Sequence, residues 1–355
     1  MELTPEIKAQ LAEQKKQCIH CKLISGEIPN AKKVFEDDKV LALTDIYPVV
    51  KGHVVYMLKE HYPMPAYVSG EDFKHKFSLI PGLSKAIKSA MVRTGINVYM
   101  AIGGAAGQQS YHFLAHLLPR EEGDKLYNFL FKKGNGKLSE GEIQNLQRNF
   151  SVMMNNHFGR NPAQWHIGKG AVPSYLKTIY EKSEVVYEDE KILCVIPNEA
   201  AAKGHLMIYS KVEEKYVEKL SQEDSAHLFF AASLASTALF EGLQAQGTNI
   251  LLKSGECDDN TAGKLAVYIF PRWQDDGLSL QLEGKQATYD LDKITKEIKD
   301  KTWMVKYGGG KKEKKKEEVA IPKVIKIEEK KEKKSEEKKD TSAIEEIREA
   351  IENYR

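Results

Sequence analysis

The chain has 355 residues, 41% apolar and 29% charged, with a net charge of +2. That length holds about two or three domains, and so small a net charge excludes a field able to draw the whole molecule onto nucleic acid or membrane. Four cysteines in 355 residues make no disulfide framework, so a reduced compartment is expected.

Thr4-Pro5 opens a short helix, with Thr as N-cap and Pro in the first turn. Two cysteines two residues apart, Cys18 and Cys21, follow. Residues 39–44 and 53–58 are short apolar runs separated by Pro48 and Gly52, and they read as strands. Ser69 with Asp72 caps a helix through about Met91, which Pro81-Gly82 interrupts. Residues 97–102 and 111–118 read as two more strands around a Gly-rich turn. Ser139 with Glu142 opens a further helix through about Asn155.

The same pattern then returns at a constant offset of 152, residues 34–120 matching 186–272. Lys51-Gly52-His53 returns as Lys203-Gly204-His205, Ser69 and Asp72 as Ser221 and Asp224, Gly95 and Asn97 as Gly247 and Asn249, and Pro119-Arg120 as Pro271-Arg272. A repeat this long is a duplicated domain rather than a solenoid unit. Its helix runs unbroken from Leu228 to Leu243, and residues 290–301 are its closing helix. The expected fold is α+β: two similar domains, each an antiparallel sheet with a long helix and a C-terminal helix. The divisions are 1–160, a linker at 161–180, a second domain at 181–306 and a tail at 307–355.

The longest apolar stretch, Leu228 to Phe240, falls short of the roughly 20 residues that span a bilayer. No apolar run follows a basic stretch at the N-terminus, so a cytoplasmic protein with no membrane partner is expected. Residues 311–340 carry 13 Lys against 9 acidic residues, which leaves the rest of the chain at −2. This Lys/Glu tail is too polar to bury a core and is expected to be disordered, with an alternating segment at 319–327 and a short helix after Ser342 as candidate docking pieces.

Cys18-x-x-Cys21, Ile24-Ser25-Gly26-Glu27-Ile28-Pro29, Phe35-Glu36-Asp37-Asp38, Asp45-x-x-Pro48, Lys51-Gly52-His53, Lys59-x-His61, Gly107-Gln108 and Leu117-Leu118-Pro119-Arg120 form one ordered series. The series resembles the histidine-triad (HIT) superfamily over residues 18–120. Two such units in one chain are also loosely similar in layout to galactose-1-phosphate uridylyltransferases. In the family, three histidines alternate along one strand and so share a face. The middle one attacks the α-phosphorus of a nucleotide. Counting back from Pro119-Arg120, the three places are His112, Leu114 and His116. A leucine has no lone pair with which to attack. The second copy has Lys264, Ala266 and Tyr268 there.

The resemblance further implies a structural Zn²⁺ on Cys18, Cys21, His61 and His112, with His20 pointing away. It implies a site for a purine nucleotide or nucleotide conjugate. Asp45 would meet the ribose hydroxyls, Leu43 and Ile46 would lie under the base, Gly107 and Gln108 would meet the phosphates, and His116 with a supporting His53 would stand beside them. Ala101 and Gln109-Ser110 depart from the family pattern, and in the second copy Pro197 replaces Asp45. HIT domains pair through their sheets, so the duplication is expected to pack as an internal pseudo-dimer with one live site. The expected function is nucleotide binding without covalent nucleotidyl transfer. The alternatives are a scaffold protein docking a protein or RNA–protein partner through its tail, and a residual nucleotide-phosphate hydrolase.

Overall fold

The computed structural model describes residues 4–308 apart from 127, 128, 130, 132, 133, 135, 159–168, 261 and 262. The tail from 309 onward, with both candidate docking pieces, lies outside the described residues.

The N-terminal helix α1 (Pro5–Gln17) is capped as its sequence requires, the Ile7 N–H donating to Thr4 Oγ1. Helix α2 (Ile19–Ser25) follows directly and ends on Gly26 in the left-handed conformation. Strands β1 (Lys33–Glu36), β2 (Val40–Thr44), β3 (Val54–Leu58), β4 (Gly95–Ile102) and β5 (Leu114–Arg120) make the first half of a sheet. Between β3 and β4 the helical run breaks at Leu79 into α3 (Gly70–Ser78) and α4 (Ile80–Met91), because Pro81 fits only a first turn. Helix α5 (Glu140–Phe158) starts on the reciprocal Ser139–Glu142 box.

The second half repeats this. Strands β6 (Glu184–Glu188), β7 (Ile192–Ile196), β8 (Leu206–Ser210), β9 (Gly247–Gly255) and β10 (Ala266–Arg272) surround one unbroken helix, α7 (Gln222–Leu243). Helix α8 (Leu291–Lys299) closes it. Part of the expected linker is folded: Leu176 is fully buried and α6 (Lys177–Lys182) follows it. Helix α7 is long and apolar enough to cross a membrane by length and composition, contrary to the reading of its sequence. In the fold it is covered instead, by α3, α5 and strands β8, β9 and β10.

All ten strands form one antiparallel sheet in the order β1-β2-β3-β5-β4-β9-β10-β8-β7-β6. The order reads the same, half for half, from either edge. The halves join where β4 meets β9, paired from Gly95↔Gly255 to Ile102↔Thr248. Here the repeated glycines have a physical reason. A Cβ on Gly95 would sit 2.9 Å from Glu256 O, and one on Gly247 would sit 2.7 Å from Ala106 N. Either side chain would push the halves apart.

Packing does not follow the division into 1–160 and 181–306; residues Met1–Gly310 form one unit. Helix α5 of the first half lies on α7 and β6 of the second, and α8 of the second lies on α4, β1 and β2 of the first. Gln147 Nε2 donates to Val185 O (2.8 Å), and the Thr295 and Thr44 hydroxyls meet at 2.9 Å. Helices α3, α4, α5, α7 and α8 cover one face of the sheet over a continuous core. The other face carries the site.

Candidate functional site

On this second face the residues alternate as strand geometry requires. Leu41, Leu43, Val55 and Met57 form a small buried cluster, against which Leu23, Ile24 and Leu114 pack. Leu114 stands opposite Met57, and His116 lies between Val55 and Tyr99 of its two neighbour strands.

The four proposed metal ligands come together. Cys18 caps α2, Cys21 is on its first turn, His61 follows β3 and His112 precedes β5, and their donor atoms lie within 4.8 Å of one another. His61 Nδ1 is 3.3 Å from Cys21 Sγ, and His112 Nδ1 is 3.6 Å from Cys18 Sγ and 3.7 Å from Cys21 Sγ. A tetrahedral zinc with bonds of ~2.3 Å to sulfur and ~2.1 Å to nitrogen has edges of ~3.3–3.8 Å, so the spacing fits. His112 Nε2 donates to Leu58 O (2.8 Å), which leaves its Nδ1 lone pair turned to the thiols, the second partner usual for a ligating histidine. With no cation, burial and then the adjacent Cys18 sulfur push the Cys21 thiol up to about 12. Burial likewise pulls His112 down to about 3. The neutral imidazoles are ready to ligate, and a bound cation would favour the ionised form of Cys21. In the second copy Gly170, Pro173, Glu213 and Lys264 hold the matching places, with no thiol or imidazole among them.

Asp45, His53 and His116 form a second group. His53 Nε2 and His116 Nδ1 are 3.0 Å apart, and Asp45 Oδ2 is 3.4 Å from His53 Nδ1. The Val49 N–H also points at His53 Nδ1, at 3.4 Å. One nitrogen cannot both accept from Val49 and donate to Asp45. The second copy decides between them: His205 Nδ1 accepts from the Ala201 N–H at 3.1 Å where Pro197 replaces the aspartate. The acceptor role therefore belongs to the loop, and the His53 proton lies on Nε2 and is donated to His116. A neutral His116 then carries its own proton on Nε2. Burial is the main cause that keeps both neutral, holding His53 well below its ordinary value and His116 down to about 4. Asp45 Oδ1 accepts the Tyr47 N–H (2.8 Å), and burial raises its carboxyl.

The remaining expected residues are placed unevenly. Leu43 is buried in the cluster, whereas Ile46 is 56% exposed. Gly107 has φ 83°, and a Cβ there would lie 2.9 Å from Gln281 Cγ of the second half. The side chain of Gln108 is occupied. Its Oε1 accepts the Gly103 N–H (2.8 Å), and its Nε2 donates to Pro63 O (2.7 Å) and Ser110 O (2.8 Å). It braces the turn and has no free amide hydrogen for a phosphate. His20 points away from the metal set, as expected, and meets Ser110.

Segment 278–289 adds a border absent from the sequence reading. Leu278 and Leu282 join the same apolar cluster as Val49, Val50 and Ala101, the Lys285 N–H donates to Pro48 O, and Lys51 lies over the Tyr289 ring. The loop that carries Pro48 and Lys51, between Asp45 and His53, is therefore bordered by the second half. The reverse contact covers the second copy's face: Phe131 packs there on Tyr268 and Phe270, Lys253 Nζ donates to Phe129 O (2.5 Å), and the Phe129 ring stacks on Tyr99. A third acidic group, Asp37, Asp38 and His75, is explained by the fold. Its Asp37–His75 bond (2.7 Å) recurs as Asp189–His227 (2.9 Å).

The HIT domain family model matches residues 25–123. An uncharacterized HIT-like protein of Borreliella burgdorferi is 38% identical over 120 residues, 33% of this chain and 84% of that protein. Adenylylsulfatase HINT3 of Arabidopsis thaliana is 33% identical over 120 residues, 34% of this chain and 60% of that protein. A solved uridylyltransferase mutant is 14% identical with a TM-score of 0.46, over 79% of this chain and 93% of its own. The family model spans His53, just before β3, and His116 on β5, and a relative matches over most of its own length: this chain belongs to the HIT family.

Proposed function

We propose that the first half binds a nucleotide or nucleotide conjugate in its cleft, holds one structural zinc, and does not form the family's covalent nucleotidyl intermediate. The observation that carries this reading is the grouping of Asp45, His53 and His116 on one face while Leu114 occupies the alternating place between His112 and His116. Asp45 supplies an anionic acceptor for hydroxyls and the His116 Nε2–H a neutral donor. Leu43 and its cluster supply apolar surface, and nothing at position 114 can form a bond to phosphorus. The ten-stranded sheet with exchanged closing helices supports an internal counterpart of a two-fold dimer, with the second copy as scaffold. Calorimetry with purine nucleotides tests the reading: heat from the unmodified protein that Asp45→Ala abolishes supports it, and no heat at millimolar ligand ends it. A slow hydrolase is a second reading, favoured by the intact His53–His116 pair. It requires turnover that His116→Ala removes.

A further inference from the structure

Helix α2 carries one imidazole more than the metal set uses. His20 stands between the two cysteines, and its Nδ1 lies 2.9 Å from Ser110 Oγ. The same hydroxyl oxygen accepts the His112 N–H (3.1 Å), and Ser110 O accepts from Gln108 Nε2 (2.8 Å). Three and four residues after His20, Leu23 and Ile24 pack on the cluster that Leu114 also packs on. Residues at those spacings share a helix face, so His20 stands on the side of α2 turned toward that cluster. Its ring centre is 6.0 Å from that of His112, and it is half-buried. In the second copy the two positions hold Val172 and Ala262. The polar pair is thus confined to the half that keeps Asp45 and His116.

We propose that His20, oriented by Ser110, is a contact for the phosphate end of the bound nucleotide, next to the place where Leu114 offers no polar atom. The Ser110 hydroxyl accepts the His112 N–H on one lone pair, and in the proposed arrangement it donates its own proton to His20 Nδ1. That bond places the His20 proton on Nε2, where a neutral imidazole donates to a phosphate oxygen. No change of charge is required. Ser110 also ties this contact to His112, so ligand and metal sites share one brace.

The inference rests on the nucleotide-binding reading, and its test separates the two. AMP, GMP, adenosine and guanosine are titrated calorimetrically into the unmodified protein, His20→Phe and His20→Gln, with zinc content measured for each. His20→Phe is expected to weaken both nucleotides by about tenfold, the loss of one hydrogen bond to a charged group. Nucleoside affinity and zinc content should stay unchanged, and His20→Gln should recover part of the loss. Unchanged nucleotide affinity overturns the proposal, as does equal weakening of nucleosides and nucleotides. Loss of zinc from His20→Phe also overturns it, because His20 then only braces His112. No binding by the unmodified protein overturns the nucleotide reading and this inference together.

Discussion

The two halves place the same backbone under different side chains, and position-by-position comparison separates what the fold needs from what the site needs. His53 and His205 each accept an N–H from four residues earlier, although the second has no aspartate and no imidazole partner. That histidine is therefore a loop brace first, and its tie to His116 is an addition of the first half. Asp37–His75 and Asp189–His227 are likewise a bond of the fold. Asp45, His116, Cys18, Cys21, His61 and His112 have no chemical counterpart in the second half, so the shared fold does not require them. The covered face of the second half teaches the same lesson. Where Ala101 stands in the first half Lys253 stands in the second, holding the Phe129 carbonyl and lying over the Phe131 and Tyr268 rings.

The metal site gives the largest expected contrast. Cys21→Ser should lose zinc and destabilise the chain by about 4 kcal/mol or more, the linkage value when free metal exceeds its Kd a thousandfold. Pro173→Ala, the same position in the second half, should do neither. Urea unfolding with metal analysis checks both.

Lys76 is the next contrast, because Leu228 takes its place in the second half. Lys76 is fully buried, its Nζ donates to Phe113 O (3.1 Å), and burial pulls its pKa down to about 7. The folded pKa lies below the unfolded one, so the unfolded chain binds the extra proton, and stability rises with pH from about 7 to about 10.5. Lys76→Leu should stabilise the protein below pH 7 by about 2–4 kcal/mol, at 1.36 kcal/mol per unit less the lost contacts. The gain should shrink as the pH approaches that of free lysine. Unfolding curves at pH 6 and pH 9.5 measure the difference; an equal effect at both would place the buried charge elsewhere.

Position 114 is a contrast in chemistry. Leu114→His should raise hydrolysis of a nucleoside phosphoramidate by on the order of 100-fold, ~2.7 kcal/mol of barrier. Ala266→His in the covered half should raise nothing. Steady-state rates compare them directly. The smallest effect concerns the loop braces. His53→Ala and His205→Ala should each cost about 1 kcal/mol of stability, while only the former weakens nucleotide binding.

The local devices were legible because they are local. The Thr4, Ser69, Ser139 and Ser221 caps and the break at Pro81 each depend on a few neighbouring residues, and each forms as expected; the strand reading is less complete, missing β1 and placing the start of β5 three residues early. The metal quartet was legible through the family series, although its members come from three separate segments. The exchange of α5 and α8 was not legible, because amphipathic spacing says which face of a helix is buried and not by which half. Gln108 was misleading for a similar reason: its residue type suits a phosphate, but three backbone partners within reach occupy it first. His20 was set aside with the cysteines, since only the folded β5 entrance brings Ser110 to it. The border from segment 278–289 depends on the joined sheet, which no sequence window contains.

The claim that binding survives in the first half without a phosphorus nucleophile is tested most directly by intact-mass analysis of the unmodified protein, denatured at neutral to mildly alkaline pH after incubation with adenosine 5′-phosphoramidate. The account predicts an unchanged mass for the native sequence and a nucleotidyl adduct for Leu114→His. A nucleotidyl adduct on any histidine of the unmodified protein would contradict it.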